Sequence, residues 1–129
     1  MIIIVSPLSV PQTKTEHFIL NMNVYRNTHY QTLNKVKINY KKAIQPQIAV
    51  LQPMQAIELV YTVYPATKRL FDTTNVCCVH SKFFLDSLVE LAIIPDDNYL
   101  HVRREIFQFG AIDRLHPRVE IAIHPLTSP

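Results

Sequence analysis

The sequence predicts an α/β (α+β) fold: a single mixed sheet with two main helices packed on it. Three observations point there. Residues 55–65, "QAIELVYTVYP", are rich in β-branched and aromatic side chains and stop at a proline, which reads as a strand. Residues 74–93, "TNVCCVHSKFFLDSLVELAI", put Val76, Val79, Phe83 and Leu88 at helical steps. Strand-like and helix-like stretches then interleave along the chain, the pattern of helices laid on a sheet.

In chain order, "MIIIV" reads as a further strand or an N-terminal arm. "EHFILNMNVY" (16–25) alternates loosely and reads as a strand entering a polar turn. "NTHYQTLNKVKINYKKAI" (27–44) carries Leu33, Val36, Tyr40 and Ile44 at helical steps among lysines, so it reads as a basic amphipathic helix ending before Pro46. The strand at 55–65 follows, then "ATKRLFDTT" as a connection. Thr73 or Thr74 serves as N-cap of the second helix. "NYLHVRREIFQFG" and "PRVEIAIHP" read as two last strands, joined by a loop around "AIDRLH". The order is strand, helix, strand, helix, strand, strand, with no repeat or linker. At 129 residues the chain is expected to be one domain, 1–129, with its core about 16–124 and residues 1–15 as the strand or arm.

Composition excludes several functions. One glycine in the chain leaves no Gly-rich phosphate loop, so no nucleotide cofactor is expected. No apolar stretch approaches the ~20 residues that span a bilayer. "MIIIV" lacks a basic flank and soon meets Pro7 and Pro11, unlike a signal peptide. A soluble, cytoplasmic protein without membrane contact is expected. Adjacent Cys77 and Cys78 fit a reducing compartment, and nothing has zinc-ligand spacing. Net charge is +3 but uneven: residues 1–55 hold Lys14, Arg26, Lys35, Lys37, Lys41 and Lys42 against Glu16, while four of the five aspartates lie between 72 and 97. A basic half beside an acidic cluster suits a phosphate-binding protein with a metal site.

Asn75, Lys82 and Asp86 are 7 and 4 residues apart, so they share one helix face to within about 40°. Asp72 precedes that helix, and Asp96 and Asp97 follow it. If the chain folds back, these acids converge near one lysine. Carboxylates suit Mg²⁺, which polarises a phosphate and acidifies bound water, and a lysine stabilises the charge that develops. The same residues also fit a plainer arrangement. Lys82 and Asp86 would be a solvated ion pair, Asp72 a cap, and "PDDN" a turn.

Residues 68–102, "KRLFDTTNVCCVHSKFFLDSLVELAIIPDDNYLHV", resemble the core of the RusA family of Holliday junction resolvases. That pattern is D-x-D-N, a helix lysine, D-x-L, and paired acids before a strand. Asp72 and Asn75 match the first motif, Lys82 the lysine, Asp86-Ser87-Leu88 the D-x-L, and Asp96-Asp97 the pair at the family's distance. "ILNMNVYRNTHYQ" resembles the first strand and its Asn-rich basic loop, and "RVEIAIHP" the final strand. The resemblance covers roughly 16–124. There are two departures. Four extra residues lie between Asn75 and Lys82, about one helical turn. Thr74 stands where the family has its second acid.

The resemblance implies a RusA-like homodimer: a Mg²⁺-dependent endonuclease that resolves four-way DNA junctions in recombination and repair, with Mn²⁺ as a substitute metal. It implies a phage or prophage origin and a bacterial cytoplasm. Asp72 and Asp97 would be the metal ligands, with Asp86 and Asp96 as further candidates. Lys82 would stabilise the transition state and Asn75 would support the site. Lys35, Lys37, Lys41, Lys42, Lys68 and Arg69 would bind phosphates, or form solvated faces. Tyr25 and Tyr30 would stack on bases or serve the core, and His80 and His101 have structural roles. Two other functions stay open: a branched-DNA binder that lost catalysis through Thr74, and a protein-interaction module.

Overall fold

A computed structural model describes residues 1–127. Its elements run β1 (Ile2–Ser6), β2 (Ser9–Pro11), β3 (His17–Ile19), α1 (Met22–Arg26), α2 (Tyr30–Ile48), β4 (Ala56–Tyr64), α3 (Thr73–Glu90), β5 (Val102–Phe109) and β6 (Arg118–Leu126). The fold is mixed α+β. One four-stranded sheet has the order β1-β6-β4-β5. β4 pairs antiparallel with β6 and parallel with β5, so the sheet is mixed. β2 and β3 form a separate antiparallel ribbon, an addition to the single sheet expected.

The strand period decides what is inside. In β4, Ile57, Leu59, Tyr61 and Val63 are buried while the residues between them are half-buried, the alternation of a sheet covered on one face. Val119, Ile121 and Ile123 of β6 and Ile4 of β1 join the same layer. α2 answers with Val36, Tyr40, Ile44 and Ile48, four residues apart each time. Phe83 of α3 sits among Phe18, Tyr25 and Tyr40, with ring centroids 6.0, 6.1 and 5.5 Å away.

Two boundaries differ from expectation. α2 runs through Pro46 to Ile48. Pro46 is exposed in the last turn, where only one intrahelical bond is lost, and Ile44 and Ile48 on either side are buried. Residues 22–26 are helical rather than a turn, because Asn21 Oδ1 accepts the Val24 N–H at 2.8 Å and caps α1.

α3 ends in a left-handed cap. Ala92 has φ 58°, Ile93 N–H donates to the Leu88 carbonyl at 2.8 Å and Ala92 N–H to Val89 at 3.0 Å. Buried Ile93 and Ile94 anchor the exit. Among the described residues no helix is long and apolar enough to cross a membrane.

Candidate functional site

The 65–72 connection carries the chain from the end of β4 to the start of α3 and delivers Asp72 as its N-cap residue. The cap is thus Asp72, one residue ahead of Thr73 and two ahead of Thr74. The Asp72 side chain makes no capping hydrogen bond, so its carboxylate is exposed at the positive end of the helix. A cleft of about 420 Å³ opens beside it, lined by Asn23, Arg26, Asp72, Thr74, Asn75 and Cys78, with Met22 at its wall. A larger cleft of about 640 Å³ shares Asn23, Asp72 and Asn75 with it and extends toward Arg69, Leu70 and Phe71. Thr74, at the position of the missing acid, therefore does share a cleft with Asp72.

Asn75, Lys82 and Asp86 do lie along one line of α3, and each meets a neighbouring helix. Asn75 Oδ1 accepts the Met22 N–H at 3.2 Å, holding the start of α1. Lys82 Nζ stands 5.7 Å from the Tyr25 ring centroid. Asp86 Oδ2 is 3.4 Å from Lys37 Nζ. The charge of Asp86 is answered across the α2–α3 contact by Lys37. Lys82 is ten residues beyond Asp72, about 15 Å along the axis.

Asp96 and Asp97 occupy a turn beyond the other end of α3. Asp96 Oδ1 accepts the Asp97 N–H at 2.7 Å and Oδ2 accepts from Asn98 Nδ2 at 3.1 Å. Asn98 Oδ1 in turn accepts the Leu100 N–H at 3.0 Å. The Asp97 backbone N–H, then Asn98 and His101, hold the Asp96 carboxyl below its ordinary range. Asp96 is thus tied into the turn, while Asp97 is exposed and its carboxylate makes no ion pair among the described residues. His101 Nδ1 lies 2.6 Å from the Gln55 carbonyl, which ties the turn to the segment before β4.

The convergence of acids expected from folding back does not occur within one chain. α3 is an unbroken helix of 18 residues, about 27 Å long, with Asp72 at one end and Asp97 beyond the other. Among the described residues, no three His, Cys, Asp or Glu side chains come together as a metal cluster would.

The basic set also divides. Lys37 pairs with Asp86, and Lys41 Nζ lies 2.7 Å from Glu90 Oε2. Lys35 and Lys42 are exposed on α2, and Lys68 and Arg69 on the connection leading to Asp72. Tyr25 packs against Phe83 in the helical layer with the rings tilted by 51°, whereas Tyr30 is exposed against the His29 ring at 4.6 Å.

Two features escaped the sequence. Arg26, in the last turn of α1, lines the Asp72 cleft. The Asn21 cap was its only local signal, and an Asn-rich stretch reads equally as a turn. The second is a buried relay. Ser6 Oγ lies 2.6 Å from Tyr40 Oη and 2.7 Å from His80 Nδ1, and His80 Nε2 has no partner among the described residues. Burial pushes the His80 imidazole down to about 3 and raises the Tyr40 hydroxyl. Beside it Glu105 Oε2 accepts from Tyr61 at 2.6 Å and Ser81 at 2.7 Å. Burial first, then Glu105, raises the Tyr61 hydroxyl. Comparison of the chain with protein-family models and with curated proteins finds no match.

Proposed function

We propose that this chain is a RusA-type, Mg²⁺-dependent endonuclease for four-way DNA junctions, acting as a homodimer whose acidic sites are completed between two copies. One observation carries the proposal. Asp72 and Asp97, the acids that the resemblance singles out, are both exposed and outside every ion pair among the described residues, whereas Asp86 is neutralised by Lys37. They lie at opposite ends of α3, so one chain does not hold a complete donor set. A two-fold axis setting two α3 helices antiparallel brings Asp72 of one copy toward Asp97 of the other.

Exposed carboxylate oxygens are the donors a hard divalent cation takes. In this pairing Asp72 and Asp97 would hold Mg²⁺, with Asp96 adding a carboxylate that offsets Thr74. The metal, when bound, would supply Lewis-acid stabilisation of the phosphate and an acidified water. Arg26 stands closer to Asp72 along the fold than Lys82 does, and it suits the role of a guanidinium facing phosphate oxygens. Lys82 then orders α1 through Tyr25. Lys35, Lys42, Lys68 and Arg69 are the cations left for the DNA backbone.

The test is complementation. Asp72→Asn and Asp97→Asn are each incubated with a labelled synthetic four-way junction and a matching linear duplex, in Mg²⁺, Mn²⁺ or EDTA, then mixed after co-refolding. The parent chain should cut the junction alone in metal, and each variant should not. The mixed dimer regains one intact site, so nicking should return. Junction binding without cuts in the parent would make it the branched-DNA binder that Thr74 suggests. Neither binding nor cutting would remove the nuclease proposal and leave a protein-interaction module.

A further inference from the structure

β4 and β5 run parallel, so they end side by side, and two connections meet there. Residues 65–72 lead from β4 to α3, and residues 110–117 lead from β5 to β6. Backbone bonds fasten the second connection to the first. Gly110 N–H donates to the Val63 carbonyl at 2.9 Å, and Asp113 N–H to the Pro65 carbonyl at 2.8 Å. A cavity of about 320 Å³ opens at this junction, with Lys68, Arg69, Leu70, Phe71, Phe109 and Ile112 among its walls. Its apolar side chains are uncovered: Leu70 is 95% exposed, Phe109 53% and Phe71 36%. The same chain buries Phe18, Phe83 and Phe84 completely. A contiguous exposed apolar patch of this kind marks a binding surface.

Three features give the occupant its chemistry. The Phe71 and Phe109 ring centroids are 6.3 Å apart with the rings tilted by 53°, so neither ring covers the other's face. Lys68 and Arg69 are exposed and pair with no carboxylate among the described residues. No acidic side chain lines the cavity, and Asp113 of the adjoining connection is already held by Arg118 at 2.8 Å. Aromatic faces beside unpaired cations suit a single nucleic-acid strand, whose bases stack on rings while its phosphates meet the charges. We propose that this cavity receives one unstacked nucleobase, with the flanking phosphate on Lys68 and Arg69.

The inference rests on the proposed nuclease and says which part of a branched substrate reaches Asp72. Arg69, Leu70 and Phe71 line both this cavity and the larger cleft that contains Asp72. A strand with one base in the cavity therefore leads its backbone across Arg69 toward the Asp72 carboxylate. In continuous duplex every base is covered by its neighbours, and freeing a face costs unstacking energy. That cost is already met at a branch point or a strand end. The cavity thus selects interrupted stacking and is indifferent to sequence, since every base has a face to stack.

The test exploits a chain without tryptophan. Phe71→Trp sets a lone indole in the cavity wall. A short oligothymidylate should quench its emission saturably, and a long duplex at equal nucleotide concentration should quench far less. Phe71→Ala and Phe109→Ala should each weaken oligothymidylate binding about 5- to 150-fold, read by anisotropy of a labelled strand, with unchanged circular dichroism. Both should keep the salt slope of the parent chain, whereas Lys68→Ala should lower it by about 0.7. Binding without quenching, equal quenching by duplex, or unchanged affinity in Phe71→Ala would overturn the base site. Junction cutting by a parent chain that does not bind oligothymidylate would overturn the base site alone. Quenching by oligothymidylate without junction cutting in any metal would sustain the base site and remove the nuclease.

Discussion

At the scale of single residues, His80 shows what burial does to a titratable group. In the unfolded chain its imidazole takes a proton below about 6.5, but in the fold only near 3. Between those values the unfolded chain binds more protons, so stability present above about 6.5 is lost as pH falls toward 3. The loss approaches ~1.4 kcal/mol for each pH unit well below the ordinary value. The urea midpoint should drop between pH 7 and 4.5, and His80→Gln should flatten that profile; parallel curves would refute the assignment. Ala92 offers the opposite sign. It holds φ 58° at the end of α3, where glycine is unstrained. Ala92→Gly should raise stability by ~0.5–1 kcal/mol in chemical unfolding. Gly110, the chain's one glycine, is fixed by crowding: a Cβ there would come 2.7 Å from Tyr64 Cε1 and 2.8 Å from Thr62 Cγ2. Tyr64 cannot simply swing aside, since the Arg118 guanidinium lies 4.2 Å over its ring.

At the scale of elements, α3 organises the molecule. Its buried side meets the sheet, and the line of Asn75, Lys82 and Asp86 meets α1 and α2. Helical periodicity alone identifies that line, but a shared face is a docking surface as readily as a site, and only the position of the other helices tells which. Phe83 is the central contact, touching three aromatic rings from β3, α1 and α2. Phe83→Ala should cost about 3–5 kcal/mol, read as a fall in the urea midpoint at constant slope. Lys37–Asp86 is partly exposed on both sides, and a double-mutant cycle should return a coupling below ~1 kcal/mol.

At the scale of the whole molecule, the basic surface is smaller than the sequence suggests. Lys37 and Lys41 are held by acids of α3, while Lys68 and Arg69 are exposed beside Asp72. Removing Lys68 or Arg69 should lower the slope of junction affinity against salt by about 1 each, measured by titration at several ionic strengths. Lys41→Ala should leave that slope nearly unchanged. An equal effect from all three would mean that the ion pairs with α3 open on binding.

The sequence by itself determined the elements with a strong period or composition. β4 and α3 are written in local steps of two and of three to four, because burial on one face constrains every residue of the segment. It marked Asp72, Asp97 and the turn between α3 and β5, and it showed that Asp96 and Asp97 sit at a boundary. Tertiary structure decided what those residues face. Whether Asp86 is free depends on Lys37, forty-nine positions away along the chain. Whether Asp96 or Asp97 is free depends on which of them the turn's backbone engages. Whether the outer backbone of β1 is engaged at Val5 depends on Gln47, forty-two positions away. Charge and hydrogen bonding act through space over a few ångströms, and sequence spacing fixes such distances only within one helix or strand.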